Sequence, residues 1–296
     1  MNKSLVFSNV SSMLRAALIA LAALGGILAV CAAPAGAEST VTDNDQYTVF
    51  LLQSEAPDGS QVFTDSSVGH TEPHPITVVG NVRHSTARAR FGASSIYFDG
   101  NSYLSIPDSD DWFLESPYTI DLWVNFEAWV GVKQAMVCQG DFGIFQYLYL
   151  NLTPPKRLCW QESNLVYLPA NADSFELDRW YHIALTKRRS SGPYCMFIDG
   201  VIMSCSLDQG SNNLADPLTI GTLIGYNHWF QGYMEELRIS KGICRWTNDF
   251  TPPGAPAGTA TPQFTATPAP VPAATWPGLL LLAAALTGLL VGWHRH

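Results

Sequence analysis

Apolar and polar residues alternate in short runs through the middle of the chain, with no helical periodicity longer than about ten residues between positions 47 and 253. Gly, Pro, Asn and Asp separate these runs. The pattern is typical of an antiparallel β-sandwich. It predicts strands at 47–52, 77–79, 95–98, 103–106, 118–126, 134–139, 145–152, 157–161, 165–168, 180–187, 194–198, 201–207, 218–220 and 232–240.

The last of these runs predicts a closing strand that Gly242 ends. Side chains of a regular strand alternate between its two faces. Strict alternation therefore places the neighbours Glu235 and Glu236 on opposite faces of the sheet. The expected sets are Tyr233, Glu235, Leu237 and Ile239 on one face and Met234, Glu236, Arg238 and Ser240 on the other.

The N-terminal end has the composition of an export signal. Arg15 precedes an apolar run rich in Ala and Leu, and the run ends in the small residues Ala35, Gly36 and Ala37. This pattern predicts a signal peptide over 1–37, cleaved after Ala37. An uncleaved membrane helix is the alternative.

The C-terminal end is apolar as well. Residues 276–293 carry no charge and are followed by His-Arg-His, which predicts a transmembrane anchor or sorting tail at 276–296 with the preceding domain outside the cytoplasm. Residues 254–275 are rich in Pro, Ala and Thr and predict an extended linker. Together the two segments resemble the PEP-CTERM tails that bacterial exosortases recognise, with 271–278 at the motif position. One exported domain, 38–253, remains between the ends.

The charge of that middle part excludes one class of partner. It holds 25 acidic and 13 basic residues, because Lys3, Arg15 and Arg295 lie outside it, and its net charge is −12. A surface of this sign disfavours nucleic acid. It suits a secreted domain and is compatible with calcium.

The closing segment contains, in order, an aromatic residue, Gly-Tyr, two acidic residues, Leu-Arg-Ile-Ser, Arg-Trp-Thr and Phe-Thr-Pro-Pro. With it belong five earlier segments, and the full set is 65–67, 91–100, 118–124, 180–184, 197–200 and 230–253. These segments resemble the LamG-like jelly-roll family of the concanavalin A-like lectin/glucanase superfamily, and the closing segment resembles the family's C-terminal signature. The resemblance implies an all-β fold, a two-sheet antiparallel jelly roll.

Tryptophans divide into core candidates and ligand candidates. The resemblance places Trp123, Trp180 and Trp246 in the core. Trp129, Trp160 and Trp229 lie in or near predicted loops, where indole rings can stack on sugars, although packing is an equal alternative. Asn227 and His228 lie beside Trp229 and could supply its polar contacts.

Two groups suggest metal ligands. Asp108, Asp110 and Asp111 cluster carboxylates on one predicted turn, which suits calcium, although a solvated turn is the alternative. His70 and His74 have the helical spacing of a metal pair, but Pro73 and Pro75 exclude the helix. We therefore expect these histidines to be ordinary loop residues.

Catalytic motifs are absent from the sequence. The Glu-x-Asp-x-x-Glu spacing of the superfamily's glucanases does not occur, and neither does a Gly-x-Ser-x-Gly elbow. Asp121 and Glu127 would share a face, but they would lie about 20 Å apart, beyond the spacing that glycoside hydrolysis needs. We therefore expect no enzyme activity.

Cysteines predict one disulfide. Six become five after loss of the signal peptide, in an oxidising compartment. Cys195 and Cys205 flank the turn at Asp199-Gly200, and a three-residue hairpin loop would set them opposite each other, whereas a two-residue loop would put them on opposite faces. The remaining residues, for which the sequence indicates no pairing, are Cys138, Cys159 and Cys244.

Together these patterns predict an exported, surface-tethered binding module that recognises carbohydrate through its loops. A structural or adhesive protein that binds other surface proteins is the alternative. A glycoside hydrolase is a third class.

Overall fold

The computed structural model of the protein describes residues 44–258, except 116, 142–143, 163–164, 190–192 and 208–212. The predicted signal peptide, the anchor and most of the linker lie outside these residues. Within the described part, no helix is long and apolar enough to cross a membrane.

Strands in the described part form two antiparallel sheets. Their bounds are β1 Thr48–Leu52, β2 Thr77–Val79, β3 Arg83–Ser85, β4 Ser95–Asp99, β5 Tyr103–Ile106, β6 Tyr118–Phe126, β7 Lys133–Gly140, β8 Phe145–Asn151, β9 Arg157–Glu162, β10 Leu165–Asn171, β11 Trp180–Lys187, β12 Pro193–Ile198, β13 Val201–Leu207, β14 Leu218–Ile220 and β15 Gln231–Lys241. A 3-10 helix spans Asp110–Trp112.

The first sheet, sheet A, has eight strands in the order β13-β12-β11-β6-β15-β4-β3, with β1 also paired to β15. The second, sheet B, has seven strands in the order β10-β9-β8-β7-β14-β5-β2. Alternate side chains of both sheets point inward and form one core, as expected for a sandwich. This core includes Phe50, Phe98, Leu122, Leu148, Ile183 and Met234. The two-sheet antiparallel architecture expected from the sequence is confirmed.

β3 is the strand that the sequence pattern does not predict. Its residues are Arg83, His84 and Ser85, and no apolar alternation marks them. His84 is nevertheless buried, because its ring nitrogens lie within hydrogen-bond distance of Ser54 Oγ (2.7 Å) and the Val62 carbonyl (3.0 Å).

A bulge in β15 overturns the expected alternation of its faces. Glu235 pairs with Trp123, but the next pairing joins Arg238 to Asp121, so the strand contains one extra residue. Glu236 adopts a left-handed backbone with φ 53°. Met234, Leu237 and Ile239 therefore enter the core. The prediction that Glu235 and Glu236 occupy opposite faces is wrong, because both lie on the outer face of sheet A.

The predicted disulfide joins Cys195 to Cys205 across the β12–β13 hairpin. The turn has only the two residues Asp199 and Gly200, with φ 50° and 79°. A register shift between Met196 and Phe197 then brings the cysteines directly opposite each other. The pairing is confirmed, but a bulge, and not a longer loop, produces it.

A C-terminal tail, residues 242–258, covers the outer face of sheet A. Trp246 and Phe250 stack at 4.1 Å, and both rings contact His182 edge-on. Further on, the Ala257 N–H donates to Glu236 Oε2 at 2.7 Å. Residues 254–258 therefore belong to the folded domain, although the sequence predicts that the free linker begins at 254.

Candidate functional site on the outer face of sheet B

The outer face of sheet B carries aromatic side chains from β8. Leu148 and Leu150 point into the main core, so the alternating residues Phe145, Tyr147 and Tyr149 point outward. The neighbouring strands present small residues on this face, which leave room for the rings. These are Ala135, Cys138 and Cys159.

Four rings form a row across this face. Tyr149 and Tyr147 stack at 4.2 Å with an angle of 12° between their planes. His228 lies parallel to Tyr147 at 6.0 Å, and Tyr226 stacks on His228 at 5.4 Å. We call these four residues the aromatic row. Its Tyr147 and Tyr149 end is buried, whereas Tyr226 and His228 are half-buried and accessible from solvent.

Polar groups hold the buried end of the row. Lys133 Nζ donates to the Tyr147 hydroxyl at 3.0 Å and lies 4.7 Å from the Tyr149 ring centroid. The hydroxyls of both tyrosines donate to Gln161 Oε1, at 3.2 and 3.0 Å. The rings are therefore fixed in orientation before any ligand arrives.

The environment sets the charge state of these groups. Burial, together with the Lys133 charge, lowers the pKa of His228 to about 4, so this ring is neutral at pH 7. Burial also lowers the pKa of Lys133 and raises those of Tyr147 and Tyr149. The row is thus an uncharged stacking surface at neutral pH.

Two loops meet at the accessible end of the row, residues 127–132 and 221–230. The Ala135 N–H donates to the His228 carbonyl at 3.0 Å, and Gln134 Nε2 donates to the Ala128 carbonyl at 2.6 Å. These bonds bring the loop of Trp129 beside the loop of Asn227 and His228.

The structure places Asn227, His228 and Trp229 on one of these loops and Trp129 on the other, where Trp129 packs against the main core. Asn227 is exposed and His228 belongs to the aromatic row. Trp229 is half-buried against Tyr103 at 6.2 Å. Trp129 is half-buried against Phe126, with Lys156 Nζ 4.5 Å from its ring centroid.

Trp160 does not belong to this site. It lies within β9, points into the core and is 1% exposed. Its Nε1 donates to Glu162 Oε1 at 3.1 Å. The prediction that Trp160 contacts ligand is corrected, because the opposite sheet covers its ring.

The predicted calcium ligands diverge. Asp108 Oδ1 accepts a hydrogen bond from Gln139 Nε2 at 3.2 Å, whereas Asp111 Oδ2 lies 3.1 Å from His74 Nε2. Asp110 starts the 3-10 helix. Asp108 and Asp111 are therefore held by different partners, and calcium binding by the protein stays a prediction.

Carboxylates on sheet A serve the fold. Glu235 accepts hydrogen bonds from the N–H groups of Arg90 and Phe91, at 2.6 and 3.0 Å. Burial raises the pKa of Glu235 to about 8, although the two hydrogen bonds act to lower it. Burial also raises the pKa of Glu236. Their oxygens are occupied by backbone groups and Gln53.

Sequence reasoning missed five residues of the site. Four of them form its inner part, Lys133, Tyr147, Tyr149 and Gln161, and the fifth is the accessible Tyr226. The available signal was the alternation Phe-x-Tyr-x-Tyr in 145–149. It marks an aromatic strand face, but it does not show which face points outward.

Comparison with solved structures identifies the fold. The binding domain of botulinum neurotoxin DC, solved with rat synaptotagmin II, has a TM-score of 0.51 and 13% identity over 68% of this chain and 50% of that chain. The botulinum neurotoxin serotype D binding domain has a TM-score of 0.51 and 12% identity, over 69% and 50%. This chain therefore spans about half the length of those domains. Such identities establish the fold alone.

A third similar structure is domain 4 of AbnA, a GH43 extracellular arabinanase from Geobacillus stearothermophilus, in complex with arabinotriose. It has a TM-score of 0.49 and 19% identity over 61% of this chain and 87% of that chain. No curated protein matches the chain. A family profile matches residues 98–245, which is half of the chain and spans both sheets. The chain therefore belongs to the concanavalin A-like lectin/glucanases superfamily.

Proposed function

We propose that this protein is an exported, non-catalytic binding domain that recognises carbohydrate on the outer face of sheet B. The aromatic row is the observation that carries the proposal. Sugars have weakly apolar ring faces and many hydroxyls, which suit flat rings beside a few polar groups. Here the rings are stacked, uncharged and fixed by Lys133 and Gln161.

The accessible end of the row is where a glycan would bind. Tyr226 and His228 offer ring faces, and the exposed Asn227 offers an amide beside them. Trp129 and Trp229 lie on the two loops that border this end. The net charge of −12 on the middle part of the chain disfavours polyanionic glycans, so a neutral oligosaccharide is the ligand class that we propose.

Export and surface tethering belong to the same proposal. The disulfide between Cys195 and Cys205 supports an oxidising compartment. The apolar segment at 276–296 would then hold the domain at the cell surface, with the Pro-rich segment as its spacer.

We propose that the domain is not catalytic, because the carboxylates of sheet A already bind other groups of the protein. Glycoside hydrolysis needs two carboxyl groups facing one groove. Glu235 and Glu236 share the outer face of sheet A, but backbone N–H groups occupy them. Asp121 is held by Arg238 in a two-point ion pair.

A glycan array probed with the full chain tests the proposal. We expect binding to one group of neutral oligosaccharides, and Tyr226→Ala should weaken the best of these by about tenfold or more, as loss of a stacking ring does. The matched control is Tyr47→Ala, a tyrosine 37% exposed beside sheet A, which should bind normally. Unchanged affinity in folded Tyr226→Ala would refute this location.

Adhesion to other proteins is the second candidate, because β13 is an edge strand of sheet A with exposed apolar residues. Val201, Ile202 and Met203 are 51%, 38% and 40% exposed. Such an edge can pair with or pack on another protein. This candidate gains if no glycan binds and if Ile202→Lys abolishes binding to immobilised cell-surface proteins.

A further inference from the structure

Asp65, His70 and His74 form a compact group on the loop between β1 and β2, away from the aromatic row. Each offers one potential ligand atom, and these atoms lie within 4.8 Å of one another. The two imidazole rings have centroids 4.6 Å apart. The Asp65 side chain is fully buried, whereas His70 and His74 are 16% and 14% exposed. We propose that this group is a zinc site.

The backbone already holds Asp65 in place. Its Oδ1 accepts hydrogen bonds from the N–H groups of Leu51 and Ser67, both at 3.0 Å. Its Oδ2 accepts one from the His74 N–H at 3.2 Å and lies 3.0 Å from His70 Nε2. The carboxylate is thus fixed between the two histidines, as a preorganised ligand requires.

Spacing within the group suits a small divalent ion. Ligands about 2.1 Å from a tetrahedral Zn²⁺ lie about 3.4 Å from one another. The 3.0 Å between Asp65 Oδ2 and His70 Nε2 is close to this value. The ligand atoms of all three residues lie within 4.8 Å of one another, so zinc would have to draw them closer by about 1.4 Å at most.

Asp111 supplies the outer contact that zinc-bound histidines usually make. Its Oδ2 lies 3.1 Å from His74 Nε2, which leaves Nδ1 of His74 for the ion. A carboxylate behind the imidazole fixes the orientation and the tautomer of the ring. His74 also packs on Trp112 at 4.6 Å and on Phe50 at 6.4 Å, so an apolar wall backs the site.

His70 presents Nε2 to Asp65 Oδ2 and Ser67 Oγ, at 3.0 and 2.7 Å, so Nε2 is the nitrogen that this residue would offer to the ion. Two imidazoles and a carboxylate favour zinc over calcium, which prefers oxygen ligands alone. Bound zinc would tie the loop at 65–75 to the 3-10 helix through Asp111.

Zinc titration of the full, chelator-stripped chain tests this inference. The background protein carries His294→Ala and His296→Ala, because these terminal histidines could bind zinc themselves. We expect one Zn²⁺ per chain and a zinc-dependent rise in melting temperature. His70→Gln and His74→Gln should each weaken binding by about 100-fold or more, and Asp111→Asn by about tenfold.

His228→Gln is the matched control, since it replaces a half-buried histidine outside the group and should bind zinc normally. Cobalt in place of zinc gives a readout that needs no mutation, because a tetrahedral site absorbs strongly in the visible range. Weak, octahedral-type absorption would overturn the proposal. So would absence of zinc binding, or unchanged affinity in the folded His70→Gln and His74→Gln variants. These results leave the carbohydrate proposal untouched.

Discussion

The outer faces of the two sheets differ in what lies over them, although strand alternation produces both. On sheet A the chain's own tail covers the face, and the buried Asp121 beneath it is paired with Arg238 and His182. On sheet B the rings stack toward an accessible end at Tyr226 and Asn227. A face closed by the chain needs charge pairs, because each buried charge must be compensated. A face that receives a ligand can keep neutral rings.

We call the outer face of sheet A, which the tail at 242–258 covers, the closed face. Asp121 is one of its buried charged residues. Arg238 donates to both of its oxygens, at 3.0 and 3.1 Å, and His182 Nε2 lies 3.4 Å away. Burial alone would raise the pKa of Asp121, but the Arg238 guanidinium and His182 outweigh it and hold the pKa below the ordinary value. Trp246 lies over the guanidinium at 5.9 Å.

Removal of Arg238 should have the largest effect. Arg238→Met leaves the buried Asp121 carboxylate with only His182 beside it, which should lower the unfolding free energy by about 3–5 kcal/mol. Urea denaturation measures this, with Arg157→Met on sheet B as a half-buried control that should cost under about 1 kcal/mol. Adding Asp121→Leu to Arg238→Met should restore most of the loss. If it does not, the pair is not what stabilises the closed face.

Removal of the disulfide should have the second largest effect on the unfolding free energy. Cys195 packs beside Trp246 and Phe197 on the closed face, and the bond closes a loop with a sequence separation of 10. Its removal in the double variant Cys195→Ser/Cys205→Ser should lower the unfolding free energy by about 3 kcal/mol. Urea denaturation with and without reductant checks this. Reductant should destabilise only the wild type, and equal sensitivity of both proteins would contradict the prediction.

Glu235 should give the closed face a pH dependence. Its pKa is raised from 4.5 to about 8 in the fold, so between these values the folded state binds the extra proton. The stability that Glu235 contributes is then fully present below pH 4.5 and falls as pH rises toward 8, by up to about 1.4 kcal/mol per pH unit. Denaturation at pH 5, 6.5 and 8 measures the slope. Glu235→Gln should flatten it, and equal slopes would exclude this origin.

The smallest effect on stability is expected on sheet B. Lys133→Met removes the hydrogen bond to Tyr147 from a half-buried side chain and should change the unfolding free energy by under about 1 kcal/mol. Glycan affinity should nevertheless fall by about tenfold, because the rings lose their fixed orientation. Lys241→Met beside sheet A is the control for binding. A large loss of stability with normal binding would mean that this face is structural.

Most of the fold was predictable, because burial of one strand face imposes alternation on the sequence. β6 and β11 begin and end where the pattern predicts. β3 was missed because its buried ring belongs to a polar residue, His84, which hydrogen bonds to Ser54 and Val62 and stacks on Phe63 at 4.4 Å. The bulge at Glu236 was missed because a left-handed residue leaves no mark when it is not glycine.

The candidate site was only partly predictable. Asn227 and His228 follow from their place in a loop beside Trp229, but an aromatic strand such as β8 looks the same whether its rings face the core or a ligand. Trp160 shows the opposite error, because it was predicted to contact ligand and instead lies in the core. His70 and His74 were dismissed because helical spacing was required, although a Pro-containing loop folds them together.

Attachment of the C-terminal tail to sheet A has a mechanical consequence. Tension on the chain beyond residue 258 reaches the hydrogen bond between Ala257 and Glu236 first, and then the stacked rings of Trp246 and Phe250. Only afterwards does it reach β15, which pairs with β6 on one side and with β4 and β1 on the other. Contacts of the tail therefore bear a load from this end of the chain before the strand pairings of β15 do.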